Sequence, residues 1–259
     1  MKKSSFALLS ILTLMIVSCS SPSYFVPAIS ANDVSYLPKP MGSDSIKVKN
    51  YASASIADLS LPYGTGNLTM GFLNISRAHT TKNLNIAYGA FGFVGETRNN
   101  DFNNNENAVP EFSNKGIIGG GLRTSIGYYD NAGNAEFRIL SWENALSFEG
   151  GNYSNLRKRF HDLNDPNIVS STKTTLFTTG AASEIIWHSK SNYNNHYAFR
   201  LFYGFTPGLN RSLRNQYDQD MKGGAFDFAF YLKLDKLYGI LNSGINKGFS
   251  SKISLGYSF

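Results

Sequence analysis

The 259-residue sequence predicts an all-β protein, a transmembrane antiparallel up-and-down β-barrel of ten strands, with eight strands as the alternative. Three observations lead to this prediction. Alternating apolar and polar segments follow one another from Ser45 onward, their connections alternate in length, and 249–259 is an alternating stretch that closes on an aromatic residue. Only every second residue of such a strand faces lipid, so a membrane barrel is compatible with a mean hydropathy of −0.23.

The first 19 residues have the layout of a secretory signal. Lys2 and Lys3 precede an apolar run over 6–17, which is too short to cross a ~30 Å hydrocarbon core as a helix. Ile16-Val17-Ser18-Cys19 resembles the lipobox of bacterial lipoproteins, in which the cysteine is acylated. We therefore expect residues 1–18 to be a lipoprotein signal peptide and Cys19 to be the lipidation site. An ordinary secretion signal is the alternative, and the single cysteine excludes an internal disulfide.

Residues 19–45 are predicted to form a lipid-anchored periplasmic tether. The stretch holds four prolines and few periodic apolar positions, which favours extended chain over a domain. No acidic residue occurs between Cys19 and Asp33, whereas surface-exported lipoproteins of the Bacteroidetes resemble one another in carrying acidic residues just after the cysteine. This difference implies an anchor in the periplasmic leaflet. The tether is expected to dock beneath the barrel or to plug it from below.

The barrel itself is predicted to occupy residues 46–259. Strands 196–206 and 224–234 show the alternation most clearly, with large apolar residues at every second position. Successive side chains of a strand point to opposite faces, so each strand has one apolar face for lipid and one mixed face for the interior. The ten predicted strands are 46–58, 66–77, 83–95, 116–129, 134–149, 173–188, 196–206, 224–234, 237–245 and 249–259.

The connections between these strands indicate the orientation. Short connections at 78–82, 130–133, 189–195 and 235–236 alternate with longer polar ones at 96–115, 150–172 and 206–223, although 59–65 and 246–248 are short. Outer-membrane barrels have short periplasmic turns and longer extracellular loops. Both chain ends of the barrel are expected in the periplasm, which requires an even strand number, and a break at Asp235-Lys236 gives ten. No helix longer than a turn or two is predicted.

The amino-terminal region also resembles a protein family. Tyr24-Phe25-Val26-Pro27, the Asn32-Asp33-Val34 stretch with Leu37, and the strand with Lys47 and Lys49 are similar to the start of small outer-membrane lipoprotein barrels of the Bacteroidetes. The resemblance covers the leader and the strand pattern. It implies a barrel and no particular activity.

The mixed strand faces predict a lumen charge network. Its members are Arg123, Glu184, Arg200, Asp227 and Lys233. A hairpin centred on Asn192 places Glu184 directly across from Arg200, with Asp227 diagonal to Arg200 on the next strand. Buried charges need such partners. We therefore predict a plugged or nearly closed lumen, and the alternative is a selectivity ring in a pore.

No catalytic residue, metal site or cofactor is predicted. His79, His161, His188 and His196 lack metal-ligand spacing, and the glycine run 116–121 lacks the Gly-Lys-Ser/Thr ending of a phosphate loop. Ten-stranded outer-membrane proteases use acidic residues and a His–Asp pair on the outer rim. Those residue types recur in this chain at His161-Asp162 with Asp165 and at Asp218 with Asp220, in a different sequence context.

Three functions are compatible with these features. The first is a non-enzymatic lipid-anchored barrel that acts as a structural or accessory subunit of an outer-membrane protein complex. The second is a small pore or transporter, and the third is a rim hydrolase. The expected partners are outer-membrane lipid, lipopolysaccharide at the basic loop clusters 157–159 and Arg211/Arg214, and an outer-membrane protein. Nucleic acid is not expected, because the basic residues are scattered.

Overall fold

A computed structural model of the protein describes residues 22–99, 110–213 and 224–259. Two short strands, β1 (Ser23–Phe25) and β7 (Ile168–Ser170), pair in parallel. Ten longer strands form a closed antiparallel barrel. They are β2 (Val48–Ser60), β3 (Asn67–Thr80), β4 (Leu84–Arg98), β5 (Gly116–Ala132), β6 (Ala135–Gly150), β8 (Thr175–His188), β9 (His196–Phe205), β10 (Ala225–Leu234), β11 (Leu237–Ile245) and β12 (Phe249–Ser258).

Each barrel strand pairs with its neighbour along the chain, and β12 closes the ring against β2 with Phe249 opposite Ser60. The ten-stranded up-and-down barrel predicted from the sequence is confirmed, and the eight-stranded alternative is excluded. The observed strands begin and end within a few residues of the predicted ones. The predicted break at Asp235-Lys236 is a tight turn between β10 and β11.

Alternating side chains separate an apolar outer surface from a filled interior. On β3, Leu73 is 72% exposed while its neighbour Phe72 is 3% exposed. On β12, the outward Leu255 is 73% exposed and the inward Ser254 is 4% exposed. An apolar outer surface on a closed barrel is the arrangement that lipid requires, because a closed barrel satisfies every backbone hydrogen bond within the sheet. The chain is therefore a barrel of the outer-membrane type.

The glycine run of β5 makes room for aromatic rings in the lumen. A Cβ atom on Gly121 would lie 2.8 Å from the ring of Phe91, and one on Gly119 would lie 2.4 Å from the ring of Phe93. Side chains are therefore excluded at both positions by close packing. The run lies inside a strand, where glycine permits such close approach.

A bulge in β6 changes which residues face the lumen. The register between β6 and β8 shifts between Arg138 and Ser141. Ile139 and Leu140, although adjacent, both lie on the outer surface. Inward-facing residues consequently have even numbers up to Arg138 and odd numbers at Glu143, because the extra residue reverses the alternation.

One helix, α1 (Asn152–Leu163), lies in the connection between β6 and β7. The expectation of no helix longer than a turn or two was therefore wrong. Tyr153, Leu156 and Phe160 form a narrow buried stripe, and most of the remaining residues are polar, so tertiary packing of this stripe stabilises the helix. None of the helices in the described part of the chain is long and apolar enough to cross a membrane.

The two ends of the barrel differ in their connections. We call one the long-loop end, where the connections 61–66, 99–115, 151–174, 206–224 and 246–248 lie. The other is the short-turn end, with turns at 81–83, 133–134, 189–195 and 235–236. In the described chain before β2, residues 23–41 are all buried, and we call them the threaded segment. The tether was expected either to dock beneath the barrel or to plug it, and the threaded segment fills the lumen.

Candidate functional site

The lumen and the threaded segment form the most extensive buried polar site in the described part of the chain, and the segment enters it at the long-loop end. There the backbone N–H of Ser23 donates to the carbonyl of Asn167 at 2.8 Å, and that of Tyr24 donates to Thr65 Oγ1 at 3.0 Å. The hydroxyl of Tyr153 on α1 donates to the carbonyl of Val26 at 2.7 Å. Backbone groups of the segment are thus satisfied by the long loops.

Apolar packing holds the same part of the segment. The ring of Phe25 is fully buried, with its centroid 4.8 Å from that of Phe160 and 5.6 Å from that of Phe112. These side chains belong to a larger apolar cluster at the long-loop end. Its other members include Val26, Ile29, Leu59, Leu61, Leu68, Met70, Tyr153, Leu156, Val169, Leu209 and Leu213.

Midway along the lumen, Arg123 binds the backbone of the segment. Its guanidinium donates from Nη2 to the carbonyl of Asn32 at 2.9 Å and also to the carbonyl of Asp33. A third donor reaches Asn74 Oδ1 at 2.9 Å, and the guanidinium carbon lies 3.8 Å from the ring centroid of Phe91. The carboxylate of Asp33 accepts from Thr178. Arg123 therefore ties the segment to β5 by charge-assisted hydrogen bonds.

Beside it, Arg200 joins two carboxylates of the lumen wall. Its guanidinium forms ion pairs with Glu143 on β6 and with Asp227 on β10. Asn242 donates to Asp227 at 3.1 Å, and Ser35 of the segment donates to Asn242 Oδ1 at 3.3 Å. The segment thus contacts this group through neutral hydrogen bonds.

Towards the short-turn end, a cation of the segment enters the wall network. Arg138 Nε lies 2.8 Å from Glu136 and Nη1 lies 2.9 Å from Glu184. Lys39 Nζ lies 3.7 Å from Glu184, 4.0 Å from Glu143 and 3.1 Å from Ser125 Oγ. Lys39 therefore shares two carboxylates that already have an arginine partner.

Asp44 follows the segment where it leaves the lumen. Its carboxylate lies 3.2 Å from His196 Nε2 and 3.2 Å from Lys49 Nζ. Burial by itself raises the pKa of a carboxyl, but the hydrogen bond and charge of His196 and the charge of Lys49 outweigh it. The pKa of Asp44 is lowered to about 2. These contacts fix the chain at the short-turn end before β2 begins.

The five residues predicted for the lumen charge network all lie on inward-facing positions and are buried. Glu184 is opposite Arg200 in the register, as the hairpin predicts, yet each binds other partners. Asp227 is the diagonal neighbour that pairs with Arg200. Lys233 lies apart at the short-turn end, where it donates to the carbonyl of Asn194 at 2.9 Å.

Sequence reasoning missed seven other charged residues of the lumen. Lys252 follows the same alternation as Ser250 and Ser254, so that pattern could have identified it. The bulge in β6 concealed the residues of that strand, and no local signal marks the two in the threaded segment. The seven are Asp33, Lys39, Glu136, Arg138, Glu143, Glu149 and Lys252.

The histidines occupy separate local sites. His188 and His196 face each other across a hairpin, but His196 binds Asp44 and the ring of His188 lies 4.0 Å from that of Tyr193. Among the described residues, no three His, Cys, Asp or Glu side chains form a group able to hold a metal. His161 Nδ1 contacts the carbonyl of Ser170 at 3.0 Å.

The basic loop clusters are only partly available to a ligand. Arg157 is fully buried, pairs with Glu149 and donates to the carbonyl of Lys173 at 2.9 Å, so it contributes to the interior. Arg159 is exposed and pairs with Glu111. The predicted residues Cys19, Arg214, Asp218 and Asp220 lie outside the described residues.

Comparison with known proteins concerns the fold. No protein-family model and no curated protein matches the sequence. The chain is similar to the transport unit of the autotransporter AIDA-I from Escherichia coli, with 11% identity, a TM-score of 0.41 and coverage of 89% of this chain and 95% of that one. It is also similar to an outer membrane channel from Pseudomonas putida F1, with 9% identity, a TM-score of 0.40 and coverage of 88% and 98%.

The chain is similar as well to the beta domain of the Bordetella autotransporter BrkA, with 10% identity, a TM-score of 0.38 and coverage of 83% of this chain and 99% of that one. At these identities and TM-scores, no activity or partner is assigned from the similarity.

Proposed function

We propose that this chain is a non-enzymatic, lipid-anchored barrel that acts as a structural or accessory subunit of an outer-membrane protein complex. The observation that carries the proposal is the continuous burial of residues 23–41, which are covered by the long loops at one end and by the lumen wall along the rest. A segment held by hydrogen bonds and ion pairs along its length occupies the path that a solute would need. Two cavities that adjoin it have volumes of about 20 and 10 Å³, which is room for about one water molecule each.

The buried ion pairs favour a closed lumen over a selectivity ring. A ring in a pore presents charges of one sign to passing ions. In this lumen Arg138 and Arg200 are each bound to two wall carboxylates, and Lys39 lies between them. Paired charges of both signs are typical of a structural interior.

Planar-bilayer recording tests the closed lumen. We expect the purified wild-type protein to insert without steady conductance, with insertion checked by heat-dependent mobility on a gel. Steady, selective conductance would instead support the pore or transporter.

Affinity purification from outer membranes in mild detergent tests the accessory role. A stable stoichiometric protein partner is the expected result, and reproducible recovery of the monomer alone would contradict it. The rim hydrolase predicts a detectable activity that is lost in His161→Ala and Asp162→Ala.

The lipid anchor is a separate part of the proposal. Its support is the lipobox-like sequence that ends at Cys19. Metabolic labelling with a fatty-acid analogue should mark the wild-type protein and leave Cys19→Ser unlabelled. Equal labelling of both proteins would remove the anchor from the proposal and leave the closed barrel unaffected.

A further inference from the structure

We propose that Pro22, where the described chain begins, lies on the outer face of the membrane, so that the barrel holds the threaded segment across the bilayer. The burial pattern gives the first support. Residues 23–41 are all buried, whereas Pro22 and Gly42 are partly exposed and Ser43 is exposed. The segment therefore has one opening at each end.

The order of contacts gives the direction of the chain. Ser23 pairs with Ile168 in a long connection. Asn32 is bound by Arg123 in the middle of β5. The carbonyl of Pro40 accepts from Thr80 Oγ1 at 2.8 Å at the end of β3. The segment thus runs from the long-loop end to the short-turn end, and β2 then returns in the opposite direction.

The connections assign the two ends to the two sides of the membrane. In outer-membrane barrels the short turns face the periplasm and the longer loops face outward. The short-turn end also carries Leu234 and Leu237 beside a two-residue turn, whereas the long-loop end carries the 12-residue helix α1. Pro22 is consequently on the outer side.

Distance prevents a return to the inner leaflet. The 13 residues of β2 cross the barrel; at ~3.3 Å per residue and a tilt of ~40°, that length corresponds to roughly 33 Å along the axis. Cys19 is only three residues before Pro22, a reach of ~10 Å for extended chain. An acyl group on Cys19, which rests on the proposed function, would therefore lie at the outer leaflet. The sequence alone implied the periplasmic leaflet.

The packing at the long-loop end explains how such a chain is retained. Phe25 lies between the rings of Phe112 and Phe160, and β1 pairs with β7 through backbone hydrogen bonds. Asp44 is bound by His196 and Lys49 at the other end. Contacts at both openings keep the segment in one direction and one register.

Two epitope insertions separated by the threaded segment test this topology. One epitope is placed after Ser20 and the other after Ser45, which is exposed beyond the short-turn end. Antibody is applied to intact cells and to cells with permeabilised outer membranes. An insertion after Asp165 in the long connection is the outer control, and one after Lys190 in a short turn is the inner control.

We expect the Ser20 epitope to bind antibody equally in intact and permeabilised cells, as the Asp165 control does. The Ser45 epitope should lose its signal in intact cells, as the Lys190 control does. A Ser20 epitope reached only after permeabilisation, or a Ser45 epitope reached on intact cells, would overturn the proposal. The two insertion variants are scored separately. If one variant fails to form a heat-modifiable barrel, the accessibility of the epitope in the other variant still tests the topology.

The outcome is independent of the proposed function. Conductance by the purified protein would overturn the closed barrel and would leave the accessibility of both epitopes to antibody unchanged. An inner-facing Ser20 epitope would overturn the topology while the lumen remained closed.

Discussion

The two halves of the threaded segment are held by different physical means. From Ser23 to Ala31 the segment lies among apolar side chains of the long-loop end and pairs its backbone with a short strand. From Asn32 to Met41 it crosses a lumen lined with charged groups, where Arg123 and Lys39 make charge-assisted contacts, and Asp44 makes another just beyond its end. Tyr36 and Met41 add apolar contacts there, beside the rings of Tyr51, Tyr231 and Tyr238.

The difference follows from where water and lipid lie. The long-loop end extends beyond the sheet, so loops and α1 complete an apolar cluster there together with inward-facing residues of the strand ends. The lumen is lined by the mixed faces of strands whose apolar faces contact lipid. A segment that passes through both regions therefore needs apolar residues first and polar residues later, and its sequence has that order.

Removal of Arg138, an arginine of the barrel wall, should have the largest effect on the free energy of unfolding. Arg138→Met leaves Glu136 without its ion-pair partner in the interior, and a broken buried pair costs about 4 kcal/mol. We expect a lower midpoint of urea unfolding in detergent micelles. Arg98→Met is the control, because Arg98 forms an exposed pair with Glu96, for which the expected cost is about 1 kcal/mol or less. Equal losses in the two variants would contradict the importance of the lumen pairs.

Loss of the aromatic ring at the long-loop end should come next. Phe25→Ala removes a fully buried ring from the apolar cluster, which costs about 3 kcal/mol through lost burial and the cavity that remains. The same unfolding measurement applies, with Leu163→Ala as an exposed control on α1. An unchanged midpoint in Phe25→Ala would show that the outer half of the segment is not held by packing.

The stabilisation that Asp44 provides at the short-turn end should depend on pH. The pKa of Asp44 falls from 3.8 to about 2 in the folded protein, so its ionised form stabilises the fold by about 2 kcal/mol. That stabilisation is complete above about pH 4 and is lost as the pH falls through about 2. Unfolding midpoints measured across this range should fall less steeply in Asp44→Asn, whereas the control Asp162→Asn, at an exposed position of α1, should follow the wild type.

Replacement of Lys39, the cation of the threaded segment, should have the smallest effect on the free energy of unfolding. Lys39→Met removes a charge, yet Glu184 keeps Arg138 and Glu143 keeps Arg200. Because no carboxylate loses its last partner, we expect a change of about 1 kcal/mol or less in the free energy of unfolding. A loss as large as that of Arg138→Met would mean that the segment, rather than the wall, organises the charge network.

The sequence alone was sufficient to predict the strands of the barrel and part of their register. Alternation along β9 and β10 is local, and lipid outside the barrel makes the apolar face unambiguous. The position of Glu184 opposite Arg200 followed from the length of one hairpin. Features that depend only on neighbouring residues or on one turn were therefore predictable.

Features that depend on distant contacts were not predictable. The bulge in β6 reverses the alternation, so the inward-facing residues are even-numbered before it and odd-numbered after it, as Glu143 shows. Helix α1 is stabilised by packing on a segment more than 120 residues earlier, as the bond from Tyr153 to Val26 shows. The burial of Lys39 exists only because the barrel closes around it.

The most direct test of the threaded segment is a disulfide at its entrance. Ser23 and Ile168 are paired residues of adjacent strands, and paired strand residues have Cα atoms roughly 5 Å apart, within the range that a disulfide spans. Oxidation of a Ser23→Cys/Ile168→Cys variant, followed by mass spectrometry of its peptides, should give one intramolecular cross-link between these positions. Ser23→Cys/Lys190→Cys, which pairs the segment with the short-turn end, should give none. A cross-link to position 190, or reactive free thiols at 23 and 168 after oxidation, would contradict the account.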